Sequence, residues 1–178
     1  MPPAVQTIEV IAADDLSAGG RATIVALCTA AFEEDFAALF DLLPGARHVL
    51  LREGDTLLAH ACWVTRWLQP AGCAPLRTAY VEAVAVLPTR QRQGLGSAVM
   101  RRVVAETGEY ELRALAPAYP DYYARLGWEA WRGPLAIRTT AGLVPTPDEG
   151  VMILPTRRTP PLDLDAAISA EWREGEVW

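Results

Sequence analysis

The sequence predicts an α+β fold, with a sheet of mixed but mostly antiparallel strands and helices that flank it. Short apolar runs that resemble strands alternate with runs that have helical spacing. Several of these strands are separated by only a few turn residues, which is typical of antiparallel hairpins. The chain has 178 residues, of which 51% are hydrophobic. We therefore expect one domain over residues 1–178 and, because no apolar run is long enough to cross a bilayer, no membrane segment.

The first half of the chain predicts strands and helices in alternation. A cap at Asp15-Leu16-Ser17 indicates a helix start, and the steps of four between Phe32, Phe36 and Phe40 predict a short second helix with an apolar stripe. The turn signal Glu53-Gly54-Asp55 indicates a hairpin. The predicted elements are strand 7–11, a helix that follows the cap at 15–17 and runs to about 31, helix 33–42, strands 47–51 and 56–68, and a strand from 76.

The second half predicts shorter elements. Pro117 and Pro120 prevent a long helix, and the glycines and prolines of 139–150 predict a loop. The predicted elements are a helix from about 94 to 107, strand 110–115, one or two helical turns over 122–126, strand 131–138, loop 139–150, strand 151–154, and a tail from 162 with one or two helical turns.

The stretch from Tyr80 to Arg102 predicts a strand, a loop and the start of a helix in succession. An apolar strand over 81–87 leads through Pro88 to a loop with arginine and glycine, and then to a helix that starts near Gly94. The first amides of a helix have no intrahelical partner, and Gly94 and Gly96 leave room for a ligand. This junction is a candidate phosphate-binding loop.

Three known sequence patterns of phosphate-binding loops could describe this junction. A Walker loop needs a lysine, and the chain has none, so that pattern is excluded. The dinucleotide fingerprint needs a glycine where Val99 stands, so that pattern is weak. The third pattern, [QR]-x-x-G-x-[GA], matches Gln91-Arg92-Gln93-Gly94-Leu95-Gly96.

With this loop after its apolar strand, the sequence resembles the GNAT family of acyl-CoA-dependent N-acetyltransferases. The resemblance implies the GNAT fold and acetyl-CoA as co-substrate. It implies that the loop holds the pyrophosphate of coenzyme A and that the preceding strand pairs through its backbone with the pantetheine arm. The implied cofactor-binding residues are Val84, Ala85, Val86, Gln91, Arg92, Gln93, Gly94, Leu95, Gly96 and Ser97.

Five blocks narrow the resemblance to the aminoglycoside 2'-N-acetyltransferases, including the branch that acetylates kasugamycin. They span nearly the whole chain, in the same order. A tryptophan at the last position, Trp178, suggests that this segment is tied down. The blocks are 31–36 (AFEEDF), 80–86 (YVEAVAV), 123–128 (YARLGW), 146–150 (TPDEG) and 172–178 (WREGEVW).

The chemistry of amine acetylation calls for a base. An aliphatic amine with a pKa of about 10.4 is roughly one part in a thousand unprotonated near neutral pH, which costs about 4 kcal/mol. Glu82 lies inside the apolar strand, and we expect it to act as the general base through a water. By resemblance, Tyr123 protonates the departing thiolate, with Tyr122 and Tyr119 as alternatives, and an amide near Val84 meets the oxyanion.

The charge of the chain constrains its partner. A formal net charge of −6 argues against nucleic acid and fits a small cationic ligand. The resemblance implies an aminoglycoside and nominates Asp35, Glu82, Asp148, Glu149, Glu176 and the carboxylate of Trp178 as its binding groups. Glu149 and Glu176 stand where relatives that act on deoxystreptamine drugs have aspartate, so kasugamycin remains an alternative substrate.

The remaining chemistry-bearing residues predict structural roles. Cys28, Cys62 and Cys73 have no metal spacing and are expected to be free, mostly buried thiols in a cytoplasmic protein. His48 and His60 are expected to be structural, without a metal. Similar enzymes are often homodimers. Two other functions stay open: a GNAT enzyme for another amine, and a coenzyme A sensor without catalysis.

Overall fold

The computed structural model describes residues 5–178, which form two compact units. The first comprises the described residues up to Val64 together with Glu82–Glu106, and the second comprises Thr65–Val81 and Thr107–Trp178. The strands are β1 (Gln6–Ala12), β2 (Arg47–Glu53), β3 (Thr56–Pro70), β4 (Leu76–Val86), β5 (Leu112–Leu115), β6 (Glu129–Ala130), β7 (Leu135–Thr139), β8 (Gly142–Pro145), β9 (Met152–Pro155) and β10 (Ile168–Glu171). The helices are α1 (Ala18–Phe32), α2 (Leu95–Glu106) and α3 (Pro120–Ala124).

The first unit is an antiparallel sheet with two helices. β2 pairs with β1 and β3, and β4 lies beside β3, where the Leu87 amide donates to the Leu58 carbonyl at 2.8 Å. Ser17 caps the start of α1, because its hydroxyl accepts from the Gly20 amide at 3.0 Å, as the sequence predicts. Apolar side chains from the helix and strands form the core of this unit. Its buried residues are Ile24, Leu27, Cys28, Leu50, Leu57 and Ala85.

The predicted helix over 33–42 is wrong. Glu33 has a left-handed backbone (φ 59°) that ends α1, and Leu39–Leu42 forms one 3-10 turn. Side-chain bonds compete with helical ones here, because the Thr29 hydroxyl accepts from the Phe36 amide at 3.3 Å and the Asp35 carboxylate from the Ala37 amide at 2.9 Å. The apolar stripe nevertheless packs on the core, since Phe32, Phe36 and Phe40 all contact the buried cluster.

The second unit is a mixed sheet with strand order β6-β9-β5-β4-β3-β10-β7-β8. β4 with β5 and β10 with β7 are parallel pairs, while β5 with β9 and β7 with β8 are antiparallel. Aromatic and aliphatic residues such as Tyr80, Leu112, Trp128 and Ile153 are buried in it. The mixed sheet confirms the predicted fold class.

Two predictions for the second half are wrong. The segment 139–150 contains β8, which tolerates Pro145 because the strand lies at the sheet edge and Pro145 is its last residue. The tail forms β10, where Ile168, Ser169 and Ala170 are buried, and not a helical turn. Among residues 5–178, no helix has the length and apolarity needed to span a membrane.

Candidate functional site

The loop before α2 has the geometry of an anion site. Arg92 and Gly94 both have left-handed backbones, with φ of 59° and 80°. The Ala98 amide donates to the Gly94 carbonyl at 3.0 Å and starts the helical ladder, so the amides of residues 95–97 have no acceptor within the helix. A Cβ on Gly94 would point into open space, which an approaching ligand can use. The sequence predicted this loop and the start of the helix.

A double ion pair fixes this loop to the β2–β3 hairpin. The Arg90 guanidinium donates to both carboxylate oxygens of Glu53, at 3.0 and 3.1 Å, and its Nε donates to Gln93 Oε1 at 3.1 Å. The hydrogen bond from Arg90 lowers the pKa of Glu53, with help from Gln6. This pair was not predicted from the sequence, although Arg90 stands directly before the motif and Glu53 at the hairpin turn.

Glu82 lies directly before an irregular point in β4. Its side chain is half-buried, and the next residue, Ala83, has a φ of 50° that is unusual for a residue with a Cβ. Ala85 is buried in the core of the first unit, whereas Val84 and Val86 are half-buried. The predicted base and the predicted pantetheine-binding backbone therefore lie on both sides of an irregular point in the strand.

Tyr123 belongs to the second unit and is buried in α3. Burial, with a smaller contribution from Tyr122, raises the pKa of Tyr123 above its ordinary value. Its ring packs edge-on against Tyr122 at 5.0 Å and Trp128 at 6.3 Å. Tyr119, one of the alternatives, is 74% exposed.

The C-terminal segment and the acidic loop before β9 are joined in the second unit. Trp178 is 3% exposed, and its indole Nε1 donates to the Thr146 hydroxyl at 2.9 Å. The Thr146 amide is itself bound to the Leu135 carbonyl at 2.9 Å. Asp148 and Glu149 follow on the same loop, exposed to solvent. The prediction that Trp178 is tied down is confirmed.

The buried Arg66 also binds the C-terminal segment that contains Trp178. Arg66 is 2% exposed and donates to the Glu171 carbonyl at 2.8 Å, to the Glu171 carboxylate at 3.4 Å and to the Val177 carbonyl. Its guanidinium also lies 4.9 Å from the centre of the Tyr80 ring. The role of Arg66 was not predicted from the sequence, although the inward alternation of Val64, Arg66 and Leu68 along β3 indicates a buried arginine.

The predicted site residues fall into two groups. The first unit contains Asp35, Glu82, residues 84–86 and residues 91–97, and the second contains Tyr123, Asp148, Glu149, Glu176 and Trp178. Asp35 is exposed and accepts from the Ala37 amide, and Glu176 is exposed with its carbonyl bound by Arg173 Nε at 2.5 Å. The catalytic and binding roles of these residues stay predictions.

The two histidines lie against each other in the first unit. His48 Nδ1 is 3.0 Å from His60 Nε2, and both side chains are buried. Their nitrogens and the Cys62 sulfur lie within 4.8 Å of one another. The 3.0 Å distance between His48 Nδ1 and His60 Nε2, however, is that of a hydrogen bond. The three cysteines are free, as predicted, and burial raises the pKa of Cys28 to about 12. The histidines' structural role and the lack of a metal stay predictions.

The fold and this loop define a class of enzyme. Residues 20–131 match the family model of the acetyltransferase (GNAT) domain. The chain belongs to the GNAT family and is an acetyl-CoA-dependent N-acetyltransferase. Over 97% of its length it is 36% identical to an aminoglycoside 2'-N-acetyltransferase from Mycolicibacterium fortuitum, of which it covers 92%.

Solved structures show the same fold at lower identity. The GNAT N-acetyltransferase YhbS from Escherichia coli, solved in complex with CoA, superposes with a TM-score of 0.67 at 16% identity and covers 98% of this chain and 93% of its own. Eis1 from Mycobacterium abscessus superposes with a TM-score of 0.62 at 21% identity, and the match covers 73% of this chain. The chain spans about a third of Eis1, since the match covers 32% of that protein.

Proposed function

We propose that this chain is an aminoglycoside 2'-N-acetyltransferase, which transfers the acetyl group of acetyl-CoA to an amine of a deoxystreptamine drug or of kasugamycin. The observation that carries the proposal is the buried Trp178–Thr146 contact, which ties an acidic loop and an acidic segment together in one unit. Similarity to an aminoglycoside-acetylating relative along nearly the whole chain supports the same substrate class.

The amides of residues 95–97 bind the pyrophosphate of coenzyme A. They have no acceptor within α2, and the positive end of the helix dipole favours a negative group there. The open space beside Gly94 and the anchoring of Gln93 through Arg90 fit a ligand of this kind. The backbone of Val84, Ala85 and Val86 then runs beside the pantetheine arm.

Glu82 accepts the proton of the attacking amine. Acetyl-CoA supplies the thioester, and the Val84 amide stabilises the oxyanion that develops at its carbonyl. Tyr123 serves as the proton donor to the departing sulfur. Burial raises the pKa of Tyr123, so its hydroxyl is protonated at neutral pH before the thiolate leaves.

The exposed carboxylates select a polycationic sugar. In the second unit, the exposed carboxylates of Asp148, Glu149 and Glu176 can bind ammonium groups. We propose that the glutamates at 149 and 176 set the shape of the sugar pocket, because each places its charge one methylene further out than aspartate.

The test is thiol release from acetyl-CoA with a panel of aminoglycosides that includes kasugamycin, followed by mass and NMR analysis of the product. We expect an acetyl group on an amine at position 2' or its equivalent. Glu82→Gln is expected to lower kcat by about 100-fold with coenzyme A binding unchanged. Gly94→Glu is the matched variant, expected to abolish coenzyme A binding. Coenzyme A binding without acetylation of any aminoglycoside would overturn the proposed substrate but not the enzyme family.

A further inference from the structure

The buried histidine pair ends at the irregular point of β4. His60 Nδ1 lies 2.8 Å from the Ala83 carbonyl oxygen, and His60 Nε2 lies 3.0 Å from His48 Nδ1. All three residues belong to the first unit. Of the non-glycine residues with positive φ among residues 5–178, only Ala83 lies inside a strand. A side chain of one strand thus binds the backbone of its neighbour where that backbone departs from strand geometry.

The partners determine the tautomers of both rings. A carbonyl oxygen can only accept, so His60 must carry its proton on Nδ1 and present an unprotonated Nε2. His48 must then donate from its Nδ1 to complete the contact. Burial, with the neighbouring His48, lowers the pKa of His60 to about 3, so the ring is neutral at physiological pH as this arrangement requires. His48 therefore orients His60, and His60 holds the Ala83 carbonyl.

A neighbouring thiol supports the same carbonyl run. Cys62, two residues along β3, donates through its sulfur to the Glu82 carbonyl at 3.5 Å. Side chains of β3 thus cover the two consecutive carbonyls where β4 turns. The chain of hydrogen bonds stops at the Ala83 carbonyl, which cannot pass a proton on, so it can position Glu82 but cannot relay protons to it.

We propose that His60, oriented by His48, is a positioning residue for acetyl transfer. It holds the left-handed turn at Ala83 and thereby sets the direction of the Glu82 carboxylate and of the Val84 amide. The proposal rests on the roles proposed above for Glu82 and Val84. The arrangement is the kind of support that holds a catalytic group within a fraction of an ångström of its working position.

The experiment compares His60→Leu, which removes the donor, with His60→Asn, whose amide can occupy the place of Nδ1 and restore it. Leu50→Ala is the control, because Leu50 pairs with His60 in register, is 1% exposed and leaves the Ala83 contact intact. All variants are assayed at a temperature where circular dichroism shows a folded protein. The measurements are kcat, both KM values and the dissociation constant of coenzyme A.

We expect His60→Leu to lower kcat by about 100-fold, with the coenzyme A dissociation constant changed by less than about threefold, because the pyrophosphate loop is untouched. His60→Asn should stay within about fivefold of the wild-type kcat, and Leu50→Ala within about threefold. Adding Ala83→Gly to the His60→Leu variant should raise its kcat by about tenfold, because glycine adopts a positive φ without the hydrogen bond from His60.

Several results would overturn the proposal. They are a His60→Leu enzyme with kcat within about threefold of wild type, equal losses in His60→Asn and His60→Leu, or no recovery with Ala83→Gly. If the wild-type protein binds coenzyme A but acetylates no aminoglycoside, the proposed substrate fails separately. In that case the φ angle of Ala83, measured by NMR, tests the role of His60. A positive φ that is kept in His60→Asn and lost in His60→Leu supports the positioning role. A positive φ that is kept in His60→Leu refutes it.

Discussion

Acidification should destabilise this protein through its buried histidines. Burial lowers the pKa of His60 to about 3 and that of His48 to about 4, with Arg21 contributing at His48. Both rings are therefore neutral at pH 5 in the folded protein, whereas in the unfolded chain, with a pKa of 6.5, both are mostly protonated. The unfolded state binds more protons, so the free energy of unfolding falls as pH decreases below 6.5.

The magnitude follows from the distance below the unfolded pKa. At pH 5 the difference is 1.5 pH units, which corresponds to about 2 kcal/mol per histidine at 1.36 kcal/mol per unit, or about 4 kcal/mol for the pair. The loss continues until the folded pKa values are reached, and stability is independent of these groups well above pH 6.5. The other titratable or charged groups around the rings are the thiols of Cys28 and Cys62 and the guanidinium of Arg21, which lowers the pKa of His48.

Urea unfolding followed by tryptophan fluorescence at pH 8, 7, 6 and 5 measures this loss. The control is the double variant His48→Gln, His60→Gln, which keeps polar side chains but cannot titrate. Subtracting its pH profile removes the contribution of all other groups. If wild type lost no more stability between pH 8 and pH 5 than the double variant, the histidines would not be neutral and buried as described.

Three further perturbations test other contacts. Arg90→Ala should weaken coenzyme A binding by about tenfold in calorimetry, because the loop loses its Glu53 anchor, and Glu53→Gln should have a smaller effect of the same sign. Thr146→Val leaves the buried Trp178 indole without its acceptor and should cost about 1 to 3 kcal/mol in urea unfolding and raise the KM for the aminoglycoside but not for acetyl-CoA. Gly133→Ala should destabilise by about 3 kcal/mol or more in the same assay, because its Cβ would lie 1.9 Å from a backbone oxygen.

The sequence predicted the parts of the site that depend on local geometry. Glycines and helix periodicity specify a loop and a helix start within a few residues, and residues 91–97 adopt that loop. The hairpin of β2 and β3 follows in the same way from the turn at Gly54. Such signals are complete within one stretch of chain.

The wrong predictions lie where distant contacts or side-chain bonds decide the structure. The stripe of Phe32, Phe36 and Phe40 is apolar as predicted, but Thr29 and Asp35 bind the backbone between them and prevent the helix. β10 exists because Ile168 pairs with Leu135 and with Pro70, residues far away in the sequence. The contact between His48 and His60 could have been predicted, because the predicted hairpin already places alternate residues of two strands on one face.

The anchoring of Arg66 has a consequence for how the chain assembles. Its partner Glu171 is 105 residues away and Val177 is 111 residues away, so this guanidinium needs acceptors from a distant part of the chain before it can enter the interior. A buried arginine remains charged throughout, so the second unit cannot close over it early. Contacts of such long sequence separation favour slow folding, so we expect the second unit to be completed late in folding.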